Sequence, residues 1–208
     1  MKMMTMMMMM KTRIRRFLGA GLLIVFAGVL AGCEATVPSP AFPDLTFEHL
    51  GPIKLNVGSV EIISSYKPPL SAPNVEHLFP TPPGDALGRW AADRLIATGS
   101  ASRARFVILD ASVVETALKK EKGLTGAFTK DQSERYDAVL EATLEIFDDS
   151  GASKGFANAR ANRSVTVSED ATVNDRAQAW FSLNEALMRD INAELEKNIS
   201  LYLGNWLN

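Results

Sequence analysis

All ten prolines of this 208-residue chain fall between Pro38 and Pro83, and the 125 residues that follow contain none. Proline fixes φ at about −65° and lacks the N–H that a helix interior or a central strand must donate. Regular structure is therefore predicted to dominate the chain after Pro83. Residues 34–52, with Pro38, Pro40, Pro43 and Pro52, read as an extended tether. Residues 64–83, with Pro68, Pro69, Pro73, Pro80, Pro82 and Pro83, are predicted to cross a surface with few ladder hydrogen bonds, pinned by Val75, Leu78 and Phe79.

Around these segments the hydrophobic pattern is periodic. Ile53, Leu55 and Val57 alternate as far as Gly58, after which Val60 and Ile62 continue on the other parity, which predicts one strand bulged at Gly58. A helix follows, capped by Thr81 or Asp85, with Leu87, Trp90, Ala91, Leu95 and Thr98 on one stripe and Gly99 beyond its end. Residues 105–118 read as a second strand, apolar on both faces at Phe106, Val107, Ile108 and Leu109. The third strand has the strictest alternation. Tyr136, Ala138, Leu140, Ala142, Leu144 and Ile146 share one face, while Asp137, Glu141 and Glu145 share the other with Val139, Thr143 and Phe147.

After a turn at residues 148–151, a fourth strand sets Ala157, Ala159, Ala161, Val165 and Val167 inward and Asn158, Arg160, Asn162 and Ser164 outward. A row of alanines leaves room for a bulky neighbour. The last helix supplies it, opening in capping-box style at residues 172–175 and carrying Ala177, Trp180, Phe181, Leu187, Met188, Ile191, Leu195, Ile199 and Tyr202 on one stripe. Its last turns, with Leu201, Leu203, Trp206 and Leu207, either fold back on the domain or reach a partner, a membrane surface or a neighbouring copy. The order β-α-β-β-β-α predicts an α+β domain over residues 53–208: an antiparallel or mixed four-stranded sheet with two helices on one face.

The first 32 residues have a different logic. Lys2, Lys11, Arg13, Arg15 and Arg16 form a basic segment without acids, and an apolar run of 15 residues, 17–31, follows. That run matches a signal-peptide core and is shorter than the roughly 20 residues of a membrane-spanning helix. Eight of the nine methionines lie in the first ten residues, a pattern expected of a misplaced start codon. Behind the run stands Cys33, the chain's single cysteine, so no disulfide can form within the chain.

The string Leu30, Ala31, Gly32 and Cys33 resembles the lipobox of bacterial lipoprotein precursors. The resemblance implies cleavage between Gly32 and Cys33 and removal of residues 1–32. It also implies covalent diacylglycerol on the Cys33 sulfur, a further acyl chain on its amino group, and a lipidated tether over 33–52. Two or more acyl chains anchor a protein stably where one does not. Glu34, rather than aspartate, at the next position implies the outer membrane, facing the periplasm, with the inner membrane as the alternative. The element order from 53 onward resembles the small accessory lipoproteins of ABC-type lipid transporters and of lipopolysaccharide assembly.

Charge and composition narrow the function. The leader holds five of the 22 basic residues and none of the 24 acids, so the chain from Cys33 on carries 17 − 24 = −7, which argues against a general grip on nucleic acid. No other cofactor and no metal site is expected: the two histidines, His49 and His77, lie in the proline-rich part, and the pairs Glu48-His49 and Glu76-His77 read as loop residues rather than ligands. No nucleophile elbow or phosphate-binding loop is present, so the expectation is not an enzyme; a hydrolase working through unidentified carboxylates is the further alternative. The candidate interaction feature is the loop with Lys119, Lys120, Lys122, Leu124, Phe128 and Lys130, where an apolar pair sits among lysines. A second is the strand face with Glu141, Glu145, Asn158, Arg160 and Asn162. Together these predict a noncatalytic envelope lipoprotein that docks a protein partner, with lipid binding in an envelope transport system as the alternative; oligomeric state is not legible.

Overall fold

The computed structural model describes residues 41–118 and 132–208. In chain order its elements are β1 (Ile53–Leu55), β2 (Ser59–Ser64), α1 (Pro83–Arg94), β3 (Leu95–Ala97), β4 (Arg103–Asp110), β5 (Val113–Ala117), β6 (Gln132–Phe147), β7 (Ser153–Ser168) and α2 (Val173–Tyr202). Short 3-10 turns lie at Glu48–Leu50, Glu76–Leu78 and Gly204–Trp206. The fold is α+β, as the order of patterns predicts. β6 is the spine of a mixed five-stranded sheet: β7 runs antiparallel along one side, β4 and β5 share the other, and β2 lies parallel outside β4.

Both helices cover one face of this sheet. Register puts Phe106 opposite Leu144 and Leu144 opposite Ala157, so these side chains and the rest of the even-numbered row of β6 point the same way. Trp90 of α1 meets Phe106 at 5.7 Å between ring centroids, and Trp180 of α2 meets Tyr136 edge-on at 5.5 Å. Trp90, Phe106, Tyr136, Leu140, Leu144, Ile146, Leu187 and Ile191 are fully buried between the layers.

Four boundaries differ from the sequence pattern, each for a specific reason. The predicted first strand is two strands in different sheets, because at Gly58 the chain crosses the 100–102 segment instead of bulging. Gly58 N donates to the carbonyls of Ala101 and Ser102 at 3.1 and 3.0 Å, and a Cβ there would lie 3.2 Å from the Ser100 carbonyl oxygen. The first helix ends at Arg94, not Thr98. Leu95 to Ala97 turn extended as β3 and pair in parallel with β1, and Thr98 donates to the Leu55 carbonyl from both its N–H and its hydroxyl. Gly99 therefore answers to close packing rather than to a helix end, since a Cβ would sit 2.5 Å from Asn56 Oδ1. α1 begins on Pro83 without a side-chain cap from Thr81 or Asp85, its fixed φ and missing N–H suiting the first turn.

The predicted strand over 105–118 is broken into β4 and β5, which lie end to end along β6. At the break Asp110 Oδ1 accepts from Ser112 N at 3.0 Å, a local turn that competes with the ladder. In the proline-rich crossover Val75 and Phe79 are buried, and Phe79 stacks on Trp180 at 5.1 Å. Leu78 does not pin the segment. It points outward and is exposed, because the 3-10 turn at 76–78 spends its inward positions on Val75 and Glu76.

The row Gly155, Ala157, Ala159 and Ala161 on the covered face of β7 forms the bed of α2. A Cβ at Gly155 would lie 3.2 Å from Leu203 and 3.4 Å from the Trp206 ring. The capping box is present: Thr172 Oγ1 accepts from Asp175 N, and Thr172 N donates to Asp175 Oδ2, holding that carboxyl below its usual range. Polar contacts set the position of the helix along the sheet. Arg176 donates to both oxygens of Glu134 at 2.9 Å, Arg163 pairs with Asp190, and Asn192 accepts from Trp90 Nε1 and Arg94 at 2.8 Å each.

The C-terminal turns fold back on the domain. Trp206 O accepts from Asn56 N at 2.7 Å, Asn208 N donates to Lys54 O at 3.1 Å, and Leu203 is buried. The folded body also includes residues before Ile53: Phe42 stacks on Phe181 at 5.0 Å, and Phe47 N donates to Asp93 at 2.8 Å. The two Glu-His-Leu strings form the same 3-10 turn, each following a buried apolar residue, Phe47 or Val75.

Two outcomes follow from how α2 is seated. Ala157→Leu should overpack the bed and cost about 1–3 kcal/mol in a urea unfolding titration. The Arg176 guanidinium holds the Glu134 carboxyl below the usual carboxylate range. A depressed folded pKa contributes stability above the unfolded value and loses it as pH falls through the folded one. Glu134→Gln should therefore lower stability by about 1 kcal/mol at neutral pH, and the difference from the wild type should shrink below about pH 4 in thermal melts.

Candidate functional site

The face of the sheet turned away from the helices is polar and open. Its rows come from Arg103, Arg105 and Val107 of β4, the odd-numbered residues of β6, and the even-numbered residues of β7. Register brings all five residues of the predicted strand face into one area: Glu141 lies opposite Arg160, Glu145 opposite Phe156, Thr143 opposite Asn158, and Val139 opposite Asn162. Arg160 is hydrogen bonded to Glu141 across the strands. Arg105 pairs with Glu61 at 2.7 Å and, with Arg103, lies over the Phe147 ring at 5.2 and 5.5 Å. Arg135 forks onto Asp137. Alternating signs across neighbouring strands keep this face close to neutral.

The outer margin of β7 is more distinctive. Phe156 stands on the open face and is 57% exposed, while Leu201 and Tyr202, at the end of α2, are 65% and 59% exposed on the other side of the same margin. Gly155, Phe156, Asn158, Asn198 and Tyr202 line an open groove of about 570 Å³ there. Asn198 Nδ2 donates to the Asn158 carbonyl at 2.7 Å. The alternation of β7 places Phe156 outward, but its partnership with the end of α2 depends on where a helix 40 residues further on comes to rest.

Two further hollows are built differently. Residues 43–50 and α2 enclose a groove of about 410 Å³ lined by Leu45, Phe47, His49, Met188, Arg189 and Asn192. A smaller one, about 260 Å³, lies between the crossover and the start of α1. There the buried Glu76 carboxylate accepts from Tyr66 Oη at 2.8 Å and from Val113 N at 3.2 Å. Burial and the adjacent Glu76 push the Tyr66 phenol well above its usual range, so it serves as a donor. Glu76 thus staples the crossover to β5. His77 Nδ1 is buried in the wall without a hydrogen-bond partner among the described residues. Among the described residues no three His, Cys, Asp or Glu side chains are grouped to hold a metal ion.

Other sequence-predicted residues, Gly32 and Cys33 of the cleavage and lipidation site and Lys119, Lys120, Lys122, Leu124, Phe128 and Lys130 of the loop, lie outside the described residues. No helix among the described residues is long and apolar enough to cross a membrane.

No family model matches the chain, and no curated protein matches it. Among solved structures, the crystal structure of a Xanthomonas campestris protein described by the family model DUF330 is similar over 78% of this chain and 90% of that one, at 13% identity and a TM-score of 0.30. Overlap at that level carries no functional argument.

The ion pairs of the open face are exposed, and such pairs contribute little to stability. A double-mutant cycle of Glu141→Gln and Arg160→Gln should give a coupling below about 1 kcal/mol, with thermal midpoints within a few degrees of the wild type. The face can then be rewritten without unfolding the domain.

Proposed function

We propose that the chain is a lipid-anchored lipoprotein of the bacterial envelope, held at the outer membrane and facing the periplasm, whose domain is a noncatalytic docking accessory. One observation carries the anchoring half: the single cysteine, Cys33, closes a lipobox-like string behind a basic segment and a 15-residue apolar run. A thiol converted to a thioether can no longer enter a disulfide, which suits an unpaired cysteine in an oxidising compartment.

The docking half is supported by the division of the sheet into a filled face and an open one. Leu187, Met188, Ile191, Leu195 and Ile199 occupy the space between α2 and the sheet. An acyl-chain carrier needs an apolar cavity. Packing of that interior favours protein docking over the alternative of lipid binding, and the open grooves favour it over a hydrolase, which needs convergent ionisable groups in a cleft.

Cys33→Ser is expected to leave a folded domain while abolishing fatty-acid labelling and membrane retention in fractionated cells. Tight retention of that variant would remove the anchor. Crosslinking in intact cells, followed by affinity purification, should recover a stoichiometric envelope protein. Stoichiometric lipid from the purified Cys33→Ser protein would favour the carrier instead.

A further inference from the structure

Among the described residues β7 is paired on one side only. It carries no proline, and its register with β6 is unbroken from Gly155 to Val167. Sixteen residues at about 3.4 Å each make an edge of roughly 50 Å. Folded proteins usually shorten, bulge or cover such an edge, because its unpaired N–H and C=O groups are a template for another strand. The outward direction of these groups is marked by Asn198, a helix residue outside the sheet, which reaches the Asn158 carbonyl at 2.7 Å. Antiparallel alternation turns the backbone groups of Phe156, Arg160 and Asn162 the same way.

We infer that β7 takes up an extended segment of a partner protein as an added strand, apolar at one end and acidic at the other. Main-chain hydrogen bonds supply affinity in this mode of recognition, and alternate side chains supply specificity. Next to Gly155 and Phe156, successive side chains of the incoming strand fall on opposite faces, one against Phe156 and the other against Tyr202 in the 570 Å³ groove that straddles the edge. Further along they meet Arg160 on the open face and Arg163 on the helix face. Each arginine already has one carboxylate partner, Glu141 or Asp190, yet their side chains remain 58% and 49% exposed, leaving part of their five donors to solvent. A second copy of this chain is the poorer occupant. Residues 153–168 include Lys154, Arg160 and Arg163 and no acid, so two such edges would set cations against cations with no strand carboxylate between them.

The inference rests on the docking reading of the domain, and its test is independent of the anchor. The probes are fluorescein-labelled peptides, VFTTTETTE for a parallel added strand and ETTETTTFV for an antiparallel one, whose glutamates stand opposite Arg160 and Arg163. A VFTTTKTTK peptide is the charge control. Binding to the full chain in detergent is read by fluorescence anisotropy, and its location by hydrogen exchange. One acidic peptide is expected to bind at least about tenfold more tightly than the lysine peptide and to slow exchange across residues 154–163. Arg160→Glu should reverse the charge preference; Arg160→Gln, should the reversal fail to fold, should weaken acidic binding, as should Phe156→Ser. No binding at millimolar peptide, equal affinity for both charges, or protection elsewhere would overturn the proposal. So would self-association of the chain that protects β7. Any of these results leaves Cys33 lipidation, and docking through another surface, standing.

Discussion

The row of small residues on β7 is the constraint from which the rest of the architecture follows. A helix can lie close to a sheet only where the facing side chains are short, and Gly155, Ala157, Ala159 and Ala161 lower one flank of the sheet under α2. Away from β7 the layers are filled by larger side chains: Trp90 of α1 meets Phe106 of β4, and Trp180 of α2 meets Tyr136 of β6 and Phe79 of the crossover. Because this single bed seats a 30-residue helix, one layer of helix covers one face. The opposite face is left to its charges.

Polar contacts decide where along the bed α2 comes to rest. Hydrophobic burial is nearly indifferent to sliding a helix by one turn, whereas Arg176 with Glu134, Arg163 with Asp190, and Asn198 with the Asn158 carbonyl are satisfied together in one position. Arg94 is a costlier contact, 4% exposed between α1 and α2, with two guanidinium nitrogens bonded to Asn192 and Glu196 and Nε without a partner among the described residues. Buried charge of this kind is weak evidence for stability and fits better with fixing register. The crossover obeys the same economy: buried Glu76 is held by one phenol and one backbone amide beside the isolated antiparallel bridge, Asn74 with Val114, that ties this proline-rich segment to β5.

Legibility in the sequence tracked how local the deciding interaction was. The alternation of β6, the alanine row of β7 and the capping box at Thr172 are short-range patterns, and each reads directly as structure. The boundary at Leu95 does not, because the helical stripe continues through Thr98 and only the distant β1 turns those residues into a strand. Gly58 and Gly99 look like punctuation, yet both are glycines because another backbone passes close by. The open face was legible from parity alone. The groove at Phe156 was not, since it needs Asn198 and Tyr202 to arrive from the far end of α2, and no periodicity within either element encodes that meeting.

A long edge unpaired among the described residues persists in a folded domain only if something makes it a poor template for copies of itself. On β7 that is done by cations spaced along the strand, each held by a carboxylate on a neighbouring element: Lys154 by Asp148, Arg160 by Glu141, Arg163 by Asp190. Because the acids belong to β6, the turn and α2 rather than to β7, the strand itself presents one sign of charge to anything that approaches edge-on. A copy of β7 brings no acid on the strand itself, while an acidic strand brings the opposite sign. The carboxamide of Asn198 occupies one outward carbonyl of this edge, at Asn158. Protection against self-association and the acidic partner strand we infer rest, on this edge, on the same arrangement of charge.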